Sequence, residues 1–241
     1  MIDNYKNDFE KFLAHTDEKQ ILLEEISKEI EKYGAKSLLD IGAGNGLLSV
    51  PLSKKVENYL AIESNKGFAT KLREAKLEVI EGVFPLEIPG AFDMALASHS
   101  ISYEKDSFEP FIKEAWKSVK SRGVLLIITY RGQEDDWTRL MKDLGESHED
   151  HNRIGFNQII ELLASLGKVK TRKVITRVKT DNLEDMIQAL SFVASDGKPE
   201  KKEKFLENHL RLGKILSEKY QDKNGYFFPF QHFFIITEKS G

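Results

Sequence analysis

With 241 residues, 40% of them hydrophobic, the chain can bury the core of one large α/β domain and still carry an insertion or cap. A net charge of −3 gives no overall attraction to nucleic acid or an anionic membrane, and the absence of cysteine excludes a disulfide framework, an iron–sulfur site and a cysteine nucleophile. No apolar run is long enough to span a bilayer and the charged N-terminus lacks the apolar core of a signal peptide, so a soluble, cytoplasmic protein is expected.

Phe9, Phe12 and Leu13 predict a short amphipathic helix ending near His15 and Thr16. Asp17 followed by Gln20 has the form of a capping box for a second helix, with Leu22, Ile26, Ile30 and Tyr33 on its apolar face and Gly34 at its end. Residues 37–41 read as a buried strand, and Leu47, Leu48 and Leu52 start a helix directly after the glycines of 42–46. Further strands are predicted at 58–63, 77–81, 92–98 and 124–129, with helices over 66–75 and from Phe108 to Val119. The run 124–129 is apolar throughout, as suits a central strand buried on both faces. Helices near 135–144 and 156–166 precede a strand over 169–179 that alternates apolar with basic residues. Leu183, Met186, Ile187, Leu190 and Val193 mark another helix, and a charged start at 198–204 leads on to Phe205, Leu212 and Leu216. Asn224-Gly225 then opens a last aromatic strand, 226–237.

This alternation implies a doubly wound, Rossmann-like α/β fold, with a seven-stranded, mostly parallel sheet and helices on both faces. An N-terminal helical lead-in precedes it, and a helical insertion at about 182–223 precedes the last strand. A single domain over 1–241 is expected, divided into a helical cap (1–35), a cofactor-binding half (36–131) and a substrate-side half (132–241).

Strand, glycine turn and helix start in the order 37–52 make a cradle for a nucleotide-like ligand, because glycine admits close approach and a helix start offers unpaired N–H groups. A dinucleotide turn would need a glycine at Leu47; here the glycines are Gly42, Gly44 and Gly46, with Asp40 ahead of them. An acid at that place repels a pyrophosphate and welcomes an ammonium. The stretch resembles the glycine-rich signature of the class I S-adenosylmethionine-dependent methyltransferases, whose cofactor carries an amino-acid tail and a sulfonium in place of phosphates.

The resemblance implies cofactor contacts from Asp40, Gly42, Ala43, Gly44 and Gly46, and from Glu63 and Ser64 at the end of the second strand, where a carboxylate suits the two ribose hydroxyls. Phe84 is a candidate to stack on the adenine, since Val83 stands where such enzymes place a polar residue. Strand four ends Ser98-His99-Ser100-Ile101-Ser102-Tyr103 beside the place of the methyl group. Ser98 is assigned to the cofactor, and His99 and Tyr103 to catalysis and acceptor binding. The Asp/Asn-Pro-Pro-aromatic motif of enzymes that methylate base amines is not there.

Residues 12–18, 101–106, 126–128, Trp137, 159–167 and the closing aromatic strand also resemble the histamine N-methyltransferase family. That likeness implies that Glu18 holds an amine substrate, and it places His99, His151 and Phe230 where the family has glutamine, cysteine and asparagine. Three of four acceptor contacts differ, so the architecture carries over and histamine as the acceptor does not. The expected activity is in-line methyl transfer from S-adenosylmethionine to a small molecule, an amine, leaving S-adenosylhomocysteine and needing no metal. Three alternatives stay open. The basic residues Lys168, Lys170, Arg172, Lys173, Arg177 and Lys179 would serve an RNA methyltransferase, Glu63 would equally serve an NAD-dependent oxidoreductase, and the altered contacts would fit an inactive cofactor-binding module. The loop residues His148, Glu149, Asp150 and His151 read as polar loop and not as a metal site. The sequence leaves the oligomeric state open.

Overall fold

The computed structural model describes residues 2–102, 104–130, 135–146, 155–195 and 198–241. The chain forms two compact units, one of Met1–Glu18, Gln133–Glu149 and Ile175–Gln231, the other of Lys19–Gly132, Asp150–Val174 and His232–Gly241. The unit boundaries fall inside strands β6 (Lys168–Thr180) and β8 (Gly225–Glu238).

The sheet has the order β3-β2-β1-β4-β5-β8-β6. Here β1 is Ser37–Ile41, β2 Asn58–Glu63, β3 Glu78–Glu81, β4 Phe92–Ser98 and β5 Val119–Thr129. The pairs β1–β2, β2–β3, β1–β4 and β4–β5 are parallel, while β5 and β8 run antiparallel, with Ile127 opposite Ile235. Seven strands lie on this path, and the two-residue β7 (Gln221–Asp222), absent from the expected count, pairs with β8 as an eighth.

Two-residue alternation sorts the strands of the second unit onto two faces. Leu39, Ile41, Ala95, Ala97, Leu125, Ile127, Phe233 and Ile235 pack on one side with α5 (Lys105–Lys117) and α7 (Phe156–Leu166), through Phe108, Ile112, Ile159 and Leu163. Leu38, Met94, Leu96, Val124, Leu126, Ile128, Phe234 and Ile236 pack on the other with α2 (Glu18–Tyr33), through Leu22, Ile26 and Ile30. The order of strands reverses between β1 and β4, which is where doubly wound sheets hold their ligands.

The first unit is built from α1 (Ile2–His15), α6 (Asp136–Asp143), α8 (Leu183–Ser195), α9 (Pro199–Glu207), α10 (His209–Lys219) and stretches of β6 and β8. Its core gathers Phe12, Leu140, Met186, Leu190, Phe205, Leu212, Leu216, Phe228 and Phe230.

Several local expectations need correcting. The glycine turn leads into only a five-residue helix, α3 (Ser49–Ser53), starting after Leu47 and Leu48, because Gly46 still holds a left-handed φ of +88°. The helix expected to run from 198 through Leu216 breaks at Asn208, giving α9 and α10. Asp17 and Gln20 do not pair as a box. The Asp17 carboxylate accepts the Arg177 N–H (2.6 Å), Gln20 donates to Glu24, and the Thr16 hydroxyl accepts the N–H of Glu18 (3.2 Å). Strand β5 begins at Val119, before Gly123, and shifts register against β4 between Phe92 and Met94. A Cβ at Gly123 would lie 2.7 Å from the Asp93 carbonyl oxygen, so glycine is what permits this irregular pairing.

Candidate functional site

The glycine turn leaves the C-terminal end of β1 with left-handed backbone at Gly42 (φ +77°), Gly44 (+64°) and Gly46 (+88°). Such angles cost an L-residue about 1–2 kcal/mol. At Gly42 space is closed as well, since a Cβ there would overlap the Cβ of Ser100. The N–H groups of Gly42 and Ala43 both donate to the Ile62 carbonyl (2.8 and 3.0 Å), and the Ser100 hydroxyl donates to the Ile41 carbonyl (2.5 Å). The turn is therefore clamped between the ends of β2 and β4.

Two buried carboxylates flank it. Glu63, 6% exposed at the end of β2, accepts the Gly44 N–H on Oε2 and the Asn65 N–H on Oε1, each at 2.7 Å. Asp40, 3% exposed, accepts the hydroxyls of Tyr59 (2.5 Å) and Ser49 (2.7 Å) on Oδ2. Burial raises its pKa above the usual carboxylate range, against the lowering effect of those two hydrogen bonds. Through these two hydrogen bonds Asp40 braces the wall of the turn. The chemistry of this donor set, two acids and backbone N–H groups, fits a ribose diol and a cationic amino-acid tail and opposes a pyrophosphate.

The other sequence candidates separate. Ser64 is exposed just beyond Glu63. Phe84 packs edge-on against Phe111, ring centroids 4.8 Å apart at 77°, as part of the sheet's hydrophobic layer, and Val83 is 77% exposed. The Ser98 hydroxyl at the end of β4 is buried with no hydrogen-bond partner among the described residues. Glu18 is the buried first residue of α2 and belongs to the first unit, as does Phe230. Tyr103, His148, Glu149, Asp150 and His151 lie outside the described residues.

His99 follows β4 with a left-handed φ of +55°, and its N–H donates to the Ile128 carbonyl (2.9 Å). Its ring stacks on Tyr130 (centroids 3.9 Å apart, 17° between planes), and its Nε2 lies 3.0 Å from Nδ1 of His232. His232 is fully buried on β8. Neither Tyr130 nor His232 stands out in the sequence as a site residue. The signal for His232 was its register, since alternation puts a histidine on the same strand face as the buried Phe230 and Phe234.

Two of the six basic residues of the β6 ladder are paired with acids: Arg172 with Glu25 (2.6 Å) and Glu29 (3.0 Å), lying also over the Phe234 ring, and Lys170 with Glu238; Lys173 lies over Phe233. Among the described residues no cluster of histidines and acids could hold a metal ion, and no helix is long and apolar enough to cross a membrane.

Residues 39–127 match the methyltransferase domain family. No curated protein matches the chain. Among solved structures, the YcgJ protein of Bacillus subtilis superposes with a TM-score of 0.62 at 16% identity, over 91% of this chain and 98% of its own. A Thermotoga maritima protein, described as a S-adenosylmethionine-dependent methyltransferase and possible histamine N-methyltransferase, gives 0.56 at 16% identity over 99% and 96%. Magnesium protoporphyrin IX methyltransferase of Synechocystis, with S-adenosylhomocysteine bound, gives 0.58 at 11% identity over 92% and 84%. At these identities the likeness is one of fold. Residues 39–127 thus carry the methyltransferase-domain match, and the chain shares the Rossmann-like fold of these structures.

Proposed function

We propose that the protein methylates a small-molecule acceptor, an amine, by in-line displacement. The single observation behind this reading is the glycine turn whose Gly44 N–H is bonded to a buried Glu63, an acid held where a ribose diol would meet it. S-adenosylmethionine, when bound, supplies an electrophilic methyl group on a sulfonium. The backbone from Gly42 to Gly46 would hold its amino-acid tail, Glu63 its ribose hydroxyls, and Ser64 and Ser98 adjacent polar edges. Displacement asks mainly for alignment and exclusion of water, which can supply roughly 7–11 kcal/mol of the acceleration. By the resemblance to histamine N-methyltransferases, Glu18 would hold a cationic acceptor, and His99 would take up the proton that the acceptor nitrogen gives up. Tyr103 and His151 complete the assigned acceptor contacts.

The acid partners of Arg172 and Lys170 weaken, at those two positions, the positive field along β6 that an RNA substrate would use. Calorimetry with S-adenosylmethionine and with NAD is the first test, and tighter binding of NAD would replace this reading by a dehydrogenase. A panel of amines and hydroxy compounds, read by S-adenosylhomocysteine release, then identifies the acceptor. Release with RNA and with no small molecule would move the assignment to RNA.

A further inference from the structure

Tyr59 lies on β2, its ring packed against the apolar cluster that holds Leu38, Leu48 and Leu52. A phenylalanine would fill that place, so packing leaves the hydroxyl unexplained. Leu38 pairs with Tyr59 and Asp40 with Ala61, which brings Tyr59 and Asp40 out on one face of the sheet. The Tyr59 hydroxyl donates to Oδ2 of Asp40 (2.5 Å), and burial holds the phenol pKa well above its usual value, so Tyr59 keeps the proton it donates. The second donor to Oδ2 is the hydroxyl of Ser49 (2.7 Å), the fully buried first residue of α3. That same hydroxyl lies 3.0 Å from the Ala43 carbonyl in the glycine turn.

A serine hydroxyl has one proton, and here it has two acceptors. The proton of Tyr59 satisfies part of the demand of Asp40 and leaves that of Ser49 to the Ala43 carbonyl. Without the Tyr59 hydroxyl, Ser49 is the one donor to the Asp40 side chain among the described residues, and a carboxylate draws a proton more strongly than a carbonyl. The carbonyl of Ala43 and the N–H of Gly44 belong to one planar peptide, held by Ser49 at its oxygen and by Glu63 at its nitrogen (2.7 Å). We infer that Tyr59 is a positioning residue for the amino-acid tail of the cofactor, acting through Asp40 and Ser49 on the Ala43–Gly44 peptide; this rests on the proposed methyltransferase reading, in which the backbone from Gly42 to Gly46 holds that tail. Tyr59, Asp40 and Ser49 need not touch the ligand. Glu63 keeps its second anchor, the Asn65 N–H, so the ribose contact does not depend on Tyr59.

The test is calorimetry on the full-length protein with S-adenosylhomocysteine and with methylthioadenosine, the nucleoside without the tail. Y59F, which keeps the ring, is expected to weaken S-adenosylhomocysteine binding about fivefold to twentyfold and to leave methylthioadenosine within about twofold of the parent. Equal loss for both ligands, or no loss for either, overturns the inference. S49A cuts the last link to the turn and is expected to weaken S-adenosylhomocysteine at least as much. Adding Y59F to S49A should then cost less than about twofold more, and fully additive losses overturn the route through Ser49. This cycle is read with S-adenosylhomocysteine alone, so it decides even where methylthioadenosine binds too weakly to titrate. Failure of the parent protein to bind S-adenosylhomocysteine, seen before any variant is made, strikes the methyltransferase reading instead.

Discussion

The two compact units of this protein are held together by different means. In the second, parallel backbone ladders and strict alternation place one set of aliphatic side chains on each face of the sheet, and the glycine turn at the end of β1 makes its contacts through main-chain groups. In the first, the core depends on aromatic shapes. Trp137 meets Phe228 edge-on at 6.2 Å, and Phe228 lies 5.2 Å from Phe230, which in turn faces Phe12. The domain-family match, residues 39–127, falls wholly within the second unit. A site written in backbone geometry tolerates wide sequence change and stays recognisable, whereas a core written in ring packing carries little that a family pattern can register.

Substitutions that act on one unit at a time sharpen this contrast. Phe228→Ala, at a fully buried ring, is expected to destabilise the first unit by about 3–5 kcal/mol. Hydrogen exchange should then show protection lost in α8 and α10 and kept in β1 and β4; uniform loss would mean that the units unfold as one. Gly42→Val combines a closed space with a left-handed φ and should cost about 2–4 kcal/mol in urea unfolding and abolish S-adenosylmethionine binding. Retained affinity would contradict a cradle at this turn. Glu63→Ala should weaken S-adenosylmethionine binding by about 1.5–3 kcal/mol, the range for hydrogen bonds to a charged group, as measured by calorimetry. Asp40→Asn should have the smallest effect, on the slope of stability against pH. Burial raises the Asp40 pKa in the fold, so its contribution is full at pH values below the unfolded carboxylate range and is lost as pH rises through the folded value. Parent and variant melts should therefore lie closest in acid, where Asp40 is protonated and neutral like asparagine, and the parent should lose stability relative to the variant as pH rises toward neutral; identical slopes would show that Asp40 titrates normally.

Much of the sheet was legible because its signals are periodic. The strand bounds of β2 and β4 and the helix α7 follow directly from apolar spacing and turn residues. Start and stop details were not, because they depend on competition. Asp17 could cap α2 or serve a neighbouring strand, and the Arg177 N–H won. Around the candidate site, the position of the glycine turn and of Glu63 at strand ends was legible, and their roles toward a ligand are proposals. Phe84 was ambiguous between a ligand and the core, and Phe111 provides the partner that sends it inward. Tyr130 and His232 were hidden because their importance arises from meeting His99 across strands far apart in sequence.

The double anchorage of Glu63 has an energetic consequence. A long acidic side chain ordinarily gives up on the order of 1.5–2 kcal/mol of rotamer freedom when it is immobilised against a partner. Here the Gly44 and Asn65 N–H groups have already frozen it at 2.7 Å before any ligand arrives. On the proposed reading, a ribose meeting this carboxylate would find it already held, with little side-chain ordering left to oppose binding.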